Sequence, residues 1–200
     1  MATRTLQTTL MMSLAWLLFI ITTSAAADDQ SPPVLDTDGQ PVMRGTDYHI
    51  LPAAAAPDPA GGLTLASLPS PNRCPLYVAQ EPPEAEPSEG HPVHFSPVTA
   101  DENVVREARD VVATFSVATT CARSTSWRIG VEDGETGRRF VATEGLPSYF
   151  RIDATATGGA YQIASCDDGP GCGAAGILMR EGGRFLALDG PAFPFRFKRV

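Results

Sequence analysis

"FRIDATATGGAYQIAS", residues 150–165, reads as strand, turn, strand. Phe150 and Ile152 alternate with polar neighbours before the two glycines, and Tyr161 and Ile163 do so after them. That period of two marks strands buried on one face, and glycine supplies the positive φ that a tight hairpin turn demands. The arrangement returns in "GILMREGGRFLAL", residues 176–188. Asp133-Gly134, Gly158-Gly159 and Gly182-Gly183 are the expected turn pairs between adjacent runs.

Working outward, short runs of the same character fill the chain. They are "YHIL" at 48–51, "LTLA" at 63–66, "LYVAQ" at 76–80, "VHF" at 93–95 and "ATFSV" at 113–117. "WRIGV" at 127–131, "RFVAT" at 139–143 and "FRFKR" at 195–199 continue the series. No stretch carries the period of a long amphipathic helix. About a dozen short strands in one small domain predict an all-β barrel or sandwich. Beyond the two Gly-Gly hairpins, similarity between segments is too faint to fix a repeat period. "AAAAPDPAGG" at 53–62 and "EPPEAEPSEG" at 81–90 read as solvated loops, since proline removes ladder donors and like charges repel.

The N-terminus predicts the compartment. Arg4, an apolar stretch from Leu10 to Ile21 and the small residues Ala25 and Ala27 form a secretory signal, expected to be cleaved after residue 27. The apolar run is shorter than the ~20 residues that span a bilayer. Residues 28–200 are then a single secreted domain. The formal net charge of −8 disfavours nucleic acid and anionic membranes as partners. A soluble monomer is expected.

Four cysteines, Cys74, Cys121, Cys166 and Cys172, suit two disulfides in an oxidising compartment. Three pairings are possible. The simplest joins the near neighbours Cys166 and Cys172 across "CDDGPGC" and leaves Cys74 with Cys121. On the chain-entropy model the longer loop contributes about 4 kcal/mol and the shorter about 2. A zinc site would want two close cysteine pairs, and a redox site a C-x-x-C; neither is present.

Nothing assembles a catalytic centre. His91 and His94 stand three apart in an extended stretch, so they face opposite sides, and no acidic motif completes a metal site. Asp167-Asp168 in a tight turn cannot both face one substrate. There is no G-x-S-x-G elbow, H-E-x-x-H or phosphate loop. Trp127 and the phenylalanines read as core. With no metal or cofactor implied, the residues point to a binding protein and not an enzyme.

Several stretches together resemble the plant Kunitz family of soybean-trypsin-inhibitor type. "VLDTDGQPV" at 34–42, "YHILPA", "GGLTLA", "CPLYVAQE" at 74–81, "TTCARSTSWRI" at 119–129, "YQIASC" and "FKR" occur in the family's order, spanning about Val34 to Arg199. "VLDTDG", "TTC" and "GRRFV" are most similar to the cereal branch, which includes bifunctional α-amylase/subtilisin inhibitors. The resemblance implies a β-trefoil, a six-stranded barrel capped by three hairpins, with bridges Cys74–Cys121 and Cys166–Cys172. It implies secretion or deposition in a seed storage compartment.

It also implies a serine protease as partner, blocked by an exposed loop mapping to Phe95–Asp101, with Ser96, Pro97, Val98, Thr99 and Ala100 at its centre. Such a loop enters the protease cleft as an added strand. The specificity residue maps to Val98 or Thr99. Neither is basic, and a trypsin-like pocket leaves its buried carboxylate unpaired without Arg or Lys. A subtilisin-like or elastase-like protease is therefore expected over trypsin. Many relatives brace this loop with an asparagine; the matching position is near Arg44, which puts the brace in question. Ala118, Thr119 and Thr120 offer an alternative contact. For α-amylase, the charged positions of the cereal branch map to Ala174, Gln162 and Gly190, beside Asp189, so that activity is less expected. The competing reading is a trefoil that stores or binds without inhibiting.

Overall fold

All twelve apolar runs are strands. In chain order they are β1 (Asp47–Pro52), β2 (Leu63–Ala66), β3 (Tyr77–Gln80), β4 (Val93–Pro97), β5 (Val111–Phe115), β6 (Arg128–Glu132) and β7 (Arg139–Ala142). Then follow β8 (Arg151–Ala154), β9 (Tyr161–Ser165), β10 (Gly173–Ala174), β11 (Gly176–Arg180), β12 (Gly183–Ala187) and β13 (Phe195–Arg199). The computed structural model describes residues 31–57, 60–68, 73–83, 88–166 and 171–200. The expected signal, residues 1–27, lies outside them, as do Asp167, Asp168 and parts of both expected loops. Ser31–Val200 form one compact unit.

Six strands close a ring. β1 pairs with β4, β4 with β5, β8 with β9, β9 with β13, and β13 with β1, all antiparallel. The remaining gap is closed by Val111 and Phe150, which exchange N–H···O bonds of 2.8 and 2.9 Å. Alternation drives this closure. Val93 and Phe95 of β4, and Val111, Ala113 and Phe115 of β5, turn inward, while His94, Ser96, Val112 and Thr114 between them do not. Tyr48, Ile50, Phe150, Ile152, Ile163, Phe195 and Phe197 complete the interior, each essentially without solvent contact.

Of the other strands, β10 pairs with β9 and the remaining six form three hairpins, β2–β3, β6–β7 and β11–β12. Their inner strands pair cyclically: Tyr77 opposite Ala142, Phe140 opposite Ala187, Phe185 opposite Ala79. Three sequence triplets thus occupy one environment: Tyr77-Val78-Ala79, Phe140-Val141-Ala142 and Phe185-Leu186-Ala187. The aromatic rings meet edge to face with centroids 5.7, 5.9 and 6.2 Å apart. Each such pair adds about 0.5–1.5 kcal/mol beyond burial. The central residues, Val78, Val141 and Leu186, face the other way into the barrel core. Barrel plus threefold cap make a β-trefoil, with units β1–β4, β5–β8 and β9–β13.

Three expectations need correction. β10 was not anticipated, because two residues carry no period. The β6–β7 turn takes its positive φ at Gly137, not Gly134, with the Asp133 carboxylate accepting from Thr136 N–H and Oγ1. The β11–β12 turn is Glu181-Gly182, at φ 49° and 82°, one residue before the expected glycine pair. Arg180 opposite Gly183 leaves those two alone in the loop, which is the twist that suits adjoining strands. Both disulfides are formed as Cys74–Cys121 and Cys166–Cys172.

Candidate functional site

The N-terminal segment builds the site. Asp36 Oδ1 accepts from Asp38 N–H and Gln40 N–H at 3.0 and 2.8 Å, and Gly39 takes φ 73°, so "DTDGQ" turns back on itself. Val34 and Val42, both buried, are thereby paired; Val105 N–H donates to Val42 O, and Val34 N–H to Val105 O. This places Met43 opposite Val104 and runs Arg44 beneath the β4–β5 connection.

Ser96 and Pro97 lie within β4, opposite Val112 and Val111, and Pro97 is buried. The exposed part of the predicted loop is therefore Val98, Thr99, Ala100 and Asp101. Val98 is 49 % exposed. Val98 N–H donates to Asp110 O at 3.0 Å, and Glu102 N–H closes a turn on Thr99 O at 3.2 Å. Glu102 pairs with Arg106 at 3.0 Å, and Arg106 in turn donates to Ser31 O at 2.9 Å.

Arg44 ties this loop from within. Its Nη2 donates to Pro97 O at 2.9 Å, Thr99 O at 2.7 Å and, more weakly, Ala100 O at 3.4 Å. Its Nε donates to Glu102 O at 2.9 Å, and its main-chain N–H to Asn103 O at 2.8 Å. A guanidinium offers five donors in a fixed fork, so one side chain gathers four carbonyls. The position that raised the doubt about a brace carries a brace of different chemistry.

The alternative contact is elsewhere. Thr119 and Thr120 follow the far end of β5, beside the hairpin cap, whereas Val98–Asp101 cover the opposite end of the barrel. Thr119 Oγ1 accepts from Cys121 N–H at 2.8 Å and so shapes its own turn. With Val117, Ala118, Arg123 and Ser124 these threonines line an open depression. The two surfaces are not one site.

Of the positions compared with amylase-binding relatives, Ala174 lies in β10 opposite Ala164, and Gln162 in β9 opposite Asp153. Asp189 already accepts from Arg139 Nε at 2.7 Å and Nη2 at 3.0 Å. Those hydrogen bonds hold its carboxyl below the ordinary range, against an opposing push from burial and with the guanidinium charge adding to the lowering. His94 Nδ1 is 2.9 Å from Ser116 Oγ, which donates to Asp47. Trp127 is fully buried, as expected of core.

A family model for trypsin and protease inhibitors of legume Kunitz type matches residues 34–199. The chain belongs to this family. Kunitz type trypsin inhibitor 104 of Medicago truncatula is 37% identical over 213 residues, covering 100% of both chains. The α-amylase/subtilisin inhibitor of Oryza sativa subsp. japonica is 34% identical over 197 residues, covering 92% of each. The solved structure of the rice bifunctional α-amylase/subtilisin inhibitor superposes with a TM-score of 0.69 at 34% identity, covering 85% of this chain and 99% of that one. These Kunitz relatives are inhibitors, not enzymes.

Sequence reading missed how Arg44 acts. Its partners are main-chain carbonyls more than fifty positions away, and a carbonyl has no letter in a sequence. The available signal was the "VLDTDGQPV" turn, which fixes where the following residues run.

Proposed function

We propose that this chain is a secreted serine-protease inhibitor whose Val98–Asp101 loop occupies the cleft of a subtilisin-like protease, with trypsin a poor target. The observation that carries this reading is the Arg44 brace beneath an exposed, otherwise uncharged tip at Val98-Thr99-Ala100. A pre-ordered loop loses little conformational freedom on docking, so more of the contact energy appears as affinity. Trypsin's pocket carboxylate finds no cation at Val98 or Thr99. The leader-like residues 1–27 and two disulfides support secretion.

The deciding experiment titrates residues 28–200 against subtilisin, elastase, chymotrypsin, trypsin and α-amylase. Tight inhibition of subtilisin or elastase, with trypsin at least a hundredfold weaker, is the expected pattern. Nanomolar inhibition of trypsin without effect on subtilisin overturns it. Inhibition of none returns the chain to the storage or binding reading. Amylase inhibition at micromolar or below would make it bifunctional, against the uncharged Ala174 and the engaged Asp189.

A further inference from the structure

We infer that the Val98–Thr99 peptide bond is the one presented to the protease, and that Val98 fills the specificity pocket. The inference rests on the inhibitory reading of this loop and removes its ambiguity between Val98 and Thr99.

A serine protease polarises the carbonyl it attacks with donors in an oxyanion hole, so that carbonyl must point outward without an internal partner. From Pro97 to Glu102, four of the six carbonyls are taken. Pro97 O, Thr99 O, Ala100 O and Glu102 O all accept from Arg44, and Thr99 O also accepts from Glu102 N–H. Val98 O and Asp101 O accept no bond among the described residues. Asp101 lies inside the Thr99–Glu102 turn, where the chain is not extended. Val98 remains.

The brace has the matching geometry. Arg44 Nη2 bridges the carbonyls immediately before and after Val98, at 2.9 and 2.7 Å. After hydrolysis of Val98–Thr99, Pro97 belongs to one fragment and Thr99, Ala100 and Glu102 to the other. Both new ends stay bound to one guanidinium, which keeps the carboxylate of Val98 and the amine of Thr99 adjacent for religation.

Attack at Thr99–Ala100 would require Thr99 O to swing away from a cation and from a backbone donor. Attack at Val98–Thr99 asks only that Val98 N–H share or give up its bond to Asp110 O. Charge-assisted bonds are roughly twice as strong as neutral ones, so the second rearrangement is the smaller. A branched apolar side chain at Val98 then selects a pocket for small aliphatic groups.

Two measurements test this. The protein is incubated with catalytic subtilisin, quenched in acid, and the nicked chain is located by mass spectrometry. Separately, Val98→Lys and Thr99→Lys are assayed against trypsin. The assignment expects fragments ending at Val98 and beginning at Thr99. It expects V98K to strengthen trypsin inhibition roughly a hundredfold or more, because the pocket carboxylate gains its partner, and T99K to do so less than about tenfold. A nick at Thr99–Ala100, or a gain with T99K instead, overturns the assignment while leaving the inhibitory reading intact. If wild type inhibits neither subtilisin nor elastase and neither lysine variant inhibits trypsin, both the reading and the assignment fail.

Discussion

Arg44 Nη2 donates to Thr99 O at 2.7 Å across 55 residues of sequence. The bond crosses from a segment that precedes the barrel to the tip of the β4–β5 loop, so the loop's shape depends on a turn far from it. Arg44→Ala removes several donors to main-chain carbonyls at once. Bonds to a charged group contribute about 1.5–3 kcal/mol each when buried and less here near solvent. Subtilisin inhibition is expected to weaken roughly 10- to 100-fold. Cleavage at the loop should quicken, turning inhibitor into substrate, while the thermal midpoint moves little because the barrel core is untouched. Arg44→Lys should restore only part of the effect, since a single nitrogen cannot reproduce the fork. Inhibition constants and nicking half-lives, measured side by side, check it; equal weakening with unchanged nicking counts against the brace.

Asp189 supplies an acid-sensitive contribution to stability. Its carboxyl, hydrogen-bonded to Arg139, is held below the ordinary aspartate value near 3.9 that it has when unfolded. A depressed folded value means stabilisation that is complete above that unfolded value and is lost as pH falls through the lower, folded one. Asp189 also adopts φ 67°, which asparagine tolerates, so Asp189→Asn removes charge without straining the backbone. At pH 6 the variant should melt below wild type. The gap should close as pH falls from about 4 towards 2. Glu89, lowered by its bond from Lys198, and Asp133, lowered by its bond from Thr136, titrate alike in both proteins and cancel in the difference. A gap independent of pH would argue against the assignment.

Gly62 is required by close approach. A Cβ there would overlap the Glu89 carbonyl, since Gly62 N–H donates to Ser88 O at 2.8 Å and the two chains touch. Gly62→Ala should cost about 3 kcal/mol or more, as backbone overlap cannot relax like a side chain. That corresponds to a fall of about 6 °C or more in thermal midpoint for a domain this size. Gly134→Ala, where a Cβ meets nothing within 4 Å, is the control and should change stability by less than about 0.5 kcal/mol. Denaturant titration distinguishes the two.

The three rings of the cap act as a unit. Phe140→Ala and Phe185→Ala should each cost about 3–5 kcal/mol, and the double variant measurably less than their sum, because the rings touch at 5.9 Å. Strict additivity in a double-mutant cycle would show that the cap is not cooperative.

The strands were legible because alternation writes itself into sequence. Phe150, Ile152, Tyr161 and Ile163 alternate as a half-buried strand must, and they line the barrel. The threefold repeat was hidden for a physical reason. Its strictest demand falls on three residues per unit, as in Tyr77-Val78-Ala79, and the linking loops differ so much in length that no period survives. Turn positions slipped by one residue at Glu181-Gly182, because either Gly182-Gly183 or its neighbour meets the local rule and only strand register decides. The resemblance pointed to an exposed connection at Phe95–Asp101, of which only Val98–Asp101 lie outside β4. The state of each carbonyl within it was not legible, since that depends on where Arg44 arrives in space.

The closed ring of β1, β4, β5, β8, β9 and β13 has a consequence for survival in the presence of proteases. A protease reads a polypeptide by lying alongside it, and it needs a stretch whose main chain has a vacant flank. Most strands of this ring have neighbours on both sides, and the seam between β5 and β8 is closed by the Val111–Phe150 pair. An enzyme that engages Val98 meets, on either side of the tip, Pro97 and Val111 already facing each other across the β4–β5 ladder. On the proposed inhibitory reading, the Val98 tip serves as bait while the barrel strands beneath it withhold the purchase that digestion needs to spread.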